Sequence, residues 1–209
     1  MATISSYPIA TPKTSDYVLG VQKSEGGEVQ INPTKLFSIG SIQTVQQVEI
    51  VNVLNSVDTT DQEPSGVDTP LQVTFGPATG TVSDPVMLAA DGSITFNQAG
   101  TYLFNGYGNF ERQGAAGGLS VIGFRSLLNG VQNSPVKAVE LESPNVMVPY
   151  ELTIPIKVEA GDVLTWEIIR DSSGTASGQN QGGLYTHTML GPWDNVPSAD
   201  VNIFQLKTI

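Results

Sequence analysis

The sequence predicts an all-β chain, an antiparallel sandwich or barrel of many short strands, and three observations lead there. Apolar and polar residues alternate with period two over several stretches, the pattern that turns one face of a strand toward a core. Twenty-two glycines and thirteen prolines punctuate the chain, and both residue types favour turns over continued elements. Charged residues make up only 14% of the sequence, against about 25% in an average domain. At 209 residues the chain has the length of one β domain with a tail.

The tail comes first. Pro8, Pro12 and Pro33 keep residues 1–40 from forming a long helix or a central strand, so this stretch reads as an extended arm. Within it, residues 16–22 and 28–32 are placed to pair across Lys23-Ser24-Glu25-Gly26-Gly27 as a hairpin. Residues 41–56 are a neck or a first strand. Ile39, Ile42, Val45 and Val48 are spaced as on a helix, while Val48-Glu49-Ile50 and Val51-Asn52-Val53 alternate. The β-branched excess favours a strand from about Glu49. The domain proper is expected over 41–209.

The clearest strand follows Gly100, with Tyr102, Phe104 and Phe110 on one face and Leu103, Asn105 and Tyr107 on the other. Residues 146–158 alternate for much of their length, and 162–169 set Leu164, Trp166 and Ile168 against Val163, Thr165, Glu167 and Ile169. Further strands are expected near 71–76, 93–97, 119–128, 184–190 and 201–208. Ala90-Asp91-Gly92, Asn129-Gly130 and Ala160-Gly161-Asp162 supply the turns between them. That spacing is the signature of a sandwich or barrel.

Charge narrows the partners. Nine basic and twenty acidic side chains give a formal charge of -11, which opposes a phosphate backbone, so nucleic acid is not an expected partner. No Lys or Arg lies between Lys35 and Arg112, where Glu49, Asp58, Asp61, Glu63, Asp68, Asp84, Asp91 and Glu111 all fall. Residues 1–40, by contrast, balance to zero, as suits a segment lying against another protein while an acidic body faces solvent. The absence of cysteine removes disulfides, thiol nucleophiles and thiolate metal sites. Met1 to Pro8 lacks the charged and apolar regions of a secretory signal. No apolar run approaches the roughly 20 residues of a spanning helix, so no membrane partner is expected.

Here the residues resemble a family. Gly100-Thr101-Tyr102-Leu103-Phe104 matches a Gly-x-Tyr-x-Phe core, and Ile154-Pro155-Ile156-Lys157-Val158-Glu159-Ala160-Gly161-Asp162-Val163 is similar to a later strand pair. Leu127-Leu128-Asn129-Gly130 lies between them as a turn, and Asp58 to Gln62 and Asp68 to Phe75 resemble the approach to an early strand. Together they resemble the C1q and tumour-necrosis-factor jelly roll over roughly residues 50–209. Ile94 and Gly106 stand where the vertebrate signature carries aromatics, and Ile203-Phe204-Gln205-Leu206 lacks the closing glycine. Asp16 to Gly20 and Pro33 to Ile39 resemble the N-terminal segments that join tailed-phage accessory proteins to their virion.

What the resemblance implies is a trimeric virion structural protein, a capsid decoration, cement or head-fibre protein, made in the host cytoplasm and carried on the particle surface. Tyr17, Val18, Leu19, Leu36 and Phe37 would anchor it through a major capsid protein or another virion protein. Tyr102, Phe104, Phe110, Trp166 and Phe204 would fill the sandwich or the three-fold contact. The alternative is a tail-fibre or receptor-binding module for host surface glycan, using loops such as 174–183, a stretch without an aromatic.

Enzymatic chemistry has little to stand on, and no cofactor or metal is expected. A His-based site would have to use the single His187, in a strand-like context, where a structural role is the commoner one. Glu140 and Glu142 stand two apart and read as a solvated face before they read as a glycosidase pair. Asp58, Asp61, Glu63 and Asp68 offer oxygens to Ca²⁺ without the spacing of a dedicated calcium loop.

Overall fold

The computed structural model describes residues 48–114, 117–176 and 181–207 in full, and by backbone alone Tyr17–Leu19, Gln22–Lys23, Val29–Gln30, Leu36–Ser38 and Thr208. The chain divides into two units, residues 1–47 and 48–209. In the first, β1 (Tyr17–Leu19) pairs with β4 (Leu36–Ser38), and β2 (Gln22–Lys23) pairs with β3 (Val29–Gln30), all antiparallel. The inner ladder lies where the hairpin was expected. Tyr17–Leu19, however, pairs with 36–38 and not with 28–32. Two residues separate β1 from β2 and five separate β3 from β4, so the ladders cannot share one register, and Pro33 in the longer gap has no N–H to give.

The second unit is an all-β antiparallel jelly-roll sandwich. One sheet runs β13 (Val148–Val158), β9 (Gly100–Glu111), β16 (Ala199–Thr208), β5 (Val48–Asp58), with β15 (Gly183–Leu184) added to β9. The other runs β11 (Val131–Gln132), β10 (Ser120–Leu128), β14 (Val163–Asp171), β8 (Ile94–Phe96), β7 (Val86–Leu88), with β12 (Lys137–Leu141) on β10 and β6 (Leu71–Gln72) on β14. Strands near in sequence fall in opposite sheets, β8 to β9 to β10 and β13 to β14 to β16, so each connection crosses the sandwich. No helix lies among the described residues.

Alternation builds the core. Tyr102, Phe104 and Phe110 from β9 and Leu164, Trp166 and Ile168 from β14 are all buried between the sheets. Trp166 stacks on Phe104 with centroids 4.9 Å apart, Phe96 lies 4.8 Å from Tyr102, and Phe124 lies 5.4 Å from Phe110. Each such ring withdraws roughly 150–250 Å² from water, the main force holding the sheets face to face. The Tyr102 hydroxyl donates to the Gln98 carbonyl at 3.0 Å, so this polar atom is buried with its hydrogen bond made.

Turn chemistry sets the registers. Asn129 and Gly130 have φ of 52° and 76°, as a two-residue turn of the hairpin type requires. Asn129 also clamps the next turn: its amide donates to Asp162 at 2.8 Å and its carbonyl accepts from the Val163 N–H at 2.9 Å. At Gly92, φ is 87°, and a Cβ there would lie 1.9 Å from the Val73 carbonyl oxygen, so the turn before β8 tolerates no side chain.

Several sequence expectations shift. The strand expected near 184–190 is only Gly183–Leu184; beyond it the chain enters a narrow hairpin closed by paired His187 and Val196 backbones. Pro192 and Gly191 sit where that hairpin turns. The 71–76 strand is ladder-paired only at Leu71–Gln72, although Val73 donates to the Trp166 carbonyl at 2.8 Å. The first strand of the sandwich begins at Val48, and no helical neck lies over 48–56. β7 and β12 were not among the strands expected from the sequence.

Candidate functional site

The outer face of the sheet β13-β9-β16-β5 is where the sandwich leaves its chemistry unfinished. Residues 200, 202, 204 and 206 of β16 alternate with the buried Val201, Ile203 and Gln205, so they point away from the core. Register then fixes the rows across the sheet. Phe204 stands beside Leu103, which stands beside Pro155; Leu206 stands between Ile50 and Thr101. A row of amides follows, Asn55, Asn202 and Asn105, ending at Thr153. The last row is Val57, Asp200, Tyr107 and Glu151.

The face is apolar at one end and polar across its middle. Ile50 is 62% exposed and Val57 45% exposed, while Leu103, Phe204 and Leu206 are half-buried. The amides are already tied within the sheet: the Asn55 amide donates to the Asn202 carbonyl oxygen, and the Asn105 amide donates to Glu151 Oε1 at 2.9 Å. Burial, and then the charge of Glu151, pushes the Asp200 carboxyl above its ordinary range. Burial, and then the charge of Asp200, pushes the Tyr107 hydroxyl up as well.

Of the aromatics singled out in the sequence, Tyr102, Phe104, Phe110 and Trp166 lie in the core, whereas Phe204 lies on this outer face. The difference follows from parity, since Phe204 sits one residue past the buried Ile203. Tyr17, Val18 and Leu19 lie in β1 and Leu36 and Phe37 in β4, and the ladder sets Val18 opposite Phe37 and Leu19 opposite Leu36.

The polar candidates serve the frame. The buried Asp58 carboxylate accepts from the Thr60 N–H at 2.8 Å, the Thr60 hydroxyl at 2.6 Å, the Thr74 hydroxyl, and the Gly76 N–H at 3.3 Å. Burial alone would raise this carboxyl, but these hydrogen bonds outweigh it and hold Asp58 below its ordinary value. Asp61 accepts from Thr186, Asp68 accepts from the Ser172 N–H, and Glu63 pairs with the buried Arg170 at 3.1 Å. The four carboxylates thus serve four separate contacts, and no group of three metal-ligating side chains occurs among the described residues. His187 is exposed beside the hairpin closure, and Glu140 and Glu142 are both solvent-facing.

Two features escaped the sequence reading. One is the row joining Val57, Asp200, Tyr107 and Glu151, since the strand was expected only near 201–208 and its neighbours could not be read. The other is the tip of the 187–196 hairpin, where Leu190 is 92% and Trp193 74% exposed.

No family model matches the chain, and no curated protein matches its sequence. Among solved structures it is similar to Eiger TNF from S. frugiperda, with 12% identity and a TM-score of 0.42 over 77% of this chain and 94% of that chain. It is also similar to the globular domain of zebrafish complement 1qA protein, with 15% identity and a TM-score of 0.37 over 78% of this chain and 99% of that one. Of the residues that carried the family resemblance, Gly100–Phe104 opens β9, and Ile154–Val163 spans the end of β13, its turn and the start of β14.

Proposed function

We propose that this chain is a non-enzymatic virion structural protein, a trimeric capsid decoration, cement or head-fibre protein held to the particle by residues 1–40. The observation that carries the assembly is the outer face built by Ile50, Leu103, Phe204 and Leu206. An apolar strip on a sheet is stabilised when another copy covers it. A ring of three copies closes through heterologous contacts, one part of the face meeting a different surface of the next copy. The virion role draws on the residue pattern of the arm at 16–20 and 33–39. A neutral segment gains order by adding strands or side chains to a partner surface.

The test is a deletion. The chain lacking residues 1–40 should stay folded, give three chain masses by light scattering, and fail to co-sediment with particles that bind the full chain. Full occupancy by the truncated protein would show that the arm is not the anchor, and a monomer at micromolar concentration would remove the trimer. A second reading, a tail-fibre module binding host surface glycan, is favoured by the bare indole of Trp193, since a sugar ring stacks on an exposed aromatic face. Electron microscopy of labelled particles separates capsid from tail placement.

A further inference from the structure

The acidic row lies on the same outer face as the proposed contact, four residues along β16 from Phe204. Asp200 on β16 stands opposite Tyr107 on β9 and Val57 on β5, and Tyr107 stands opposite Glu151 on β13. These are the titratable groups that all four strands bring to this row, and no cation is among them. The cations of the sheet are at its other end: Lys157 pairs with Thr101 and Lys207 with Glu49. Six or more residues along a strand separate them from the row, about 20 Å, well beyond the roughly 8 Å over which exposed charges interact at physiological salt.

Asp200 is half-buried in a single copy, next to a second carboxylate that already accepts the Asn105 amide. Further covering removes the remaining water from the charged form and supplies no opposite charge from this sheet. We propose that closing this face against further copies of the chain takes up a proton at Asp200, so that the assembly tightens as pH falls and loosens as it rises. The inference rests on the trimer reading and adds its regulation. The raised position of the Asp200 carboxyl in the single copy has the same sign. Covering raises it further, so the gain in association is complete below the value in the free copy and lost as pH rises through the value in the assembly.

Sedimentation equilibrium of the full chain from about pH 8 to about pH 5, at fixed ionic strength, reads this directly. The association constant should rise by about tenfold per pH unit for each proton taken up. Asp200→Asn should associate tightly at the alkaline end and lose most of the slope, and Glu151→Gln, which removes the charge that disfavours ionised Asp200, should move the rise to lower pH. General relief of the -11 charge would move wild type and Asp200→Asn alike, so an unchanged slope in Asp200→Asn overturns the proposal. A trimer whose association constant is flat with pH also overturns it while leaving the trimer standing. A chain that sediments as a monomer throughout removes the trimer and this regulation with it.

Discussion

Trp166→Ala is the substitution that most directly tests how the two sheets are held. Its indole comes from β14, stacks on Phe104 of the opposite sheet at 4.9 Å and 14°, and lies 6.4 Å from Phe124 of its own sheet. Truncation removes the ring that joins these layers, and large aromatic-to-alanine changes in a core cost about 3–5 kcal/mol. Against a total stability of about 5–15 kcal/mol, that is a large share. Trp166→Phe is the informative companion. The indole Nε1 is buried without a hydrogen-bond partner among the described residues, and such a group costs roughly 1–3 kcal/mol. Phenylalanine keeps the stack and removes that donor, so its net effect should stay within about 1.5 kcal/mol. Urea unfolding followed by circular dichroism, at one fixed protein concentration because association adds stability by mass action, measures both. An alanine variant within about 1 kcal/mol of wild type, or a phenylalanine variant as unstable as alanine, would refute the stack as the joint between sheets.

Gly92→Ala should cost more than about 2 kcal/mol, because its Cβ would lie 1.9 Å from the Val73 carbonyl oxygen; a melting temperature unchanged from wild type would contradict the described turn. Asn129→Ala should cost about 1–3 kcal/mol, since it removes both side-chain bonds to the 162–163 turn from a residue at φ 52°. Asn129→Gly, which tolerates that φ, should recover part of the loss, and equal stability of the two variants would show that backbone strain plays no part. Asp58 is held below its ordinary value: burial opposes ionisation, and hydrogen bonds from Thr60, Thr74 and Gly76 outweigh it. Its contribution is therefore present above the unfolded value of about 4 and is lost as pH falls through the folded value. The stability gap between wild type and Asp58→Asn should narrow as pH drops below about 4, and a gap that widens there would reverse the assignment.

The candidate face was half legible. A strand was expected near 201–208, but its two faces were not separated, and the parity that sets Phe204 and Leu206 opposite Val201 and Ile203 is a local property of an extended chain. The partners of Asp200 were not legible, because Tyr107 lies 93 residues away and Glu151 lies on yet another strand. The acidic candidates Asp58, Asp61, Glu63 and Asp68 are close in sequence, yet each turns to a different contact. Proximity along a loop does not fix side-chain direction.

The sequence by itself determined the β class, the long strands near 100–110, 146–158 and 162–169, and the Asn129-Gly130 turn. Each of these depends on contacts or steric limits within a few residues. Only the tertiary structure decided that β16 lies between β5 and β9, that Tyr17–Leu19 pairs with Leu36–Ser38, and that β15 ends at Leu184 before the hairpin closed by His187 and Val196. Those outcomes depend on which edges meet once the two sheets bury their aromatic faces together, and burial, being non-directional, does not mark in either strand which partner it will meet.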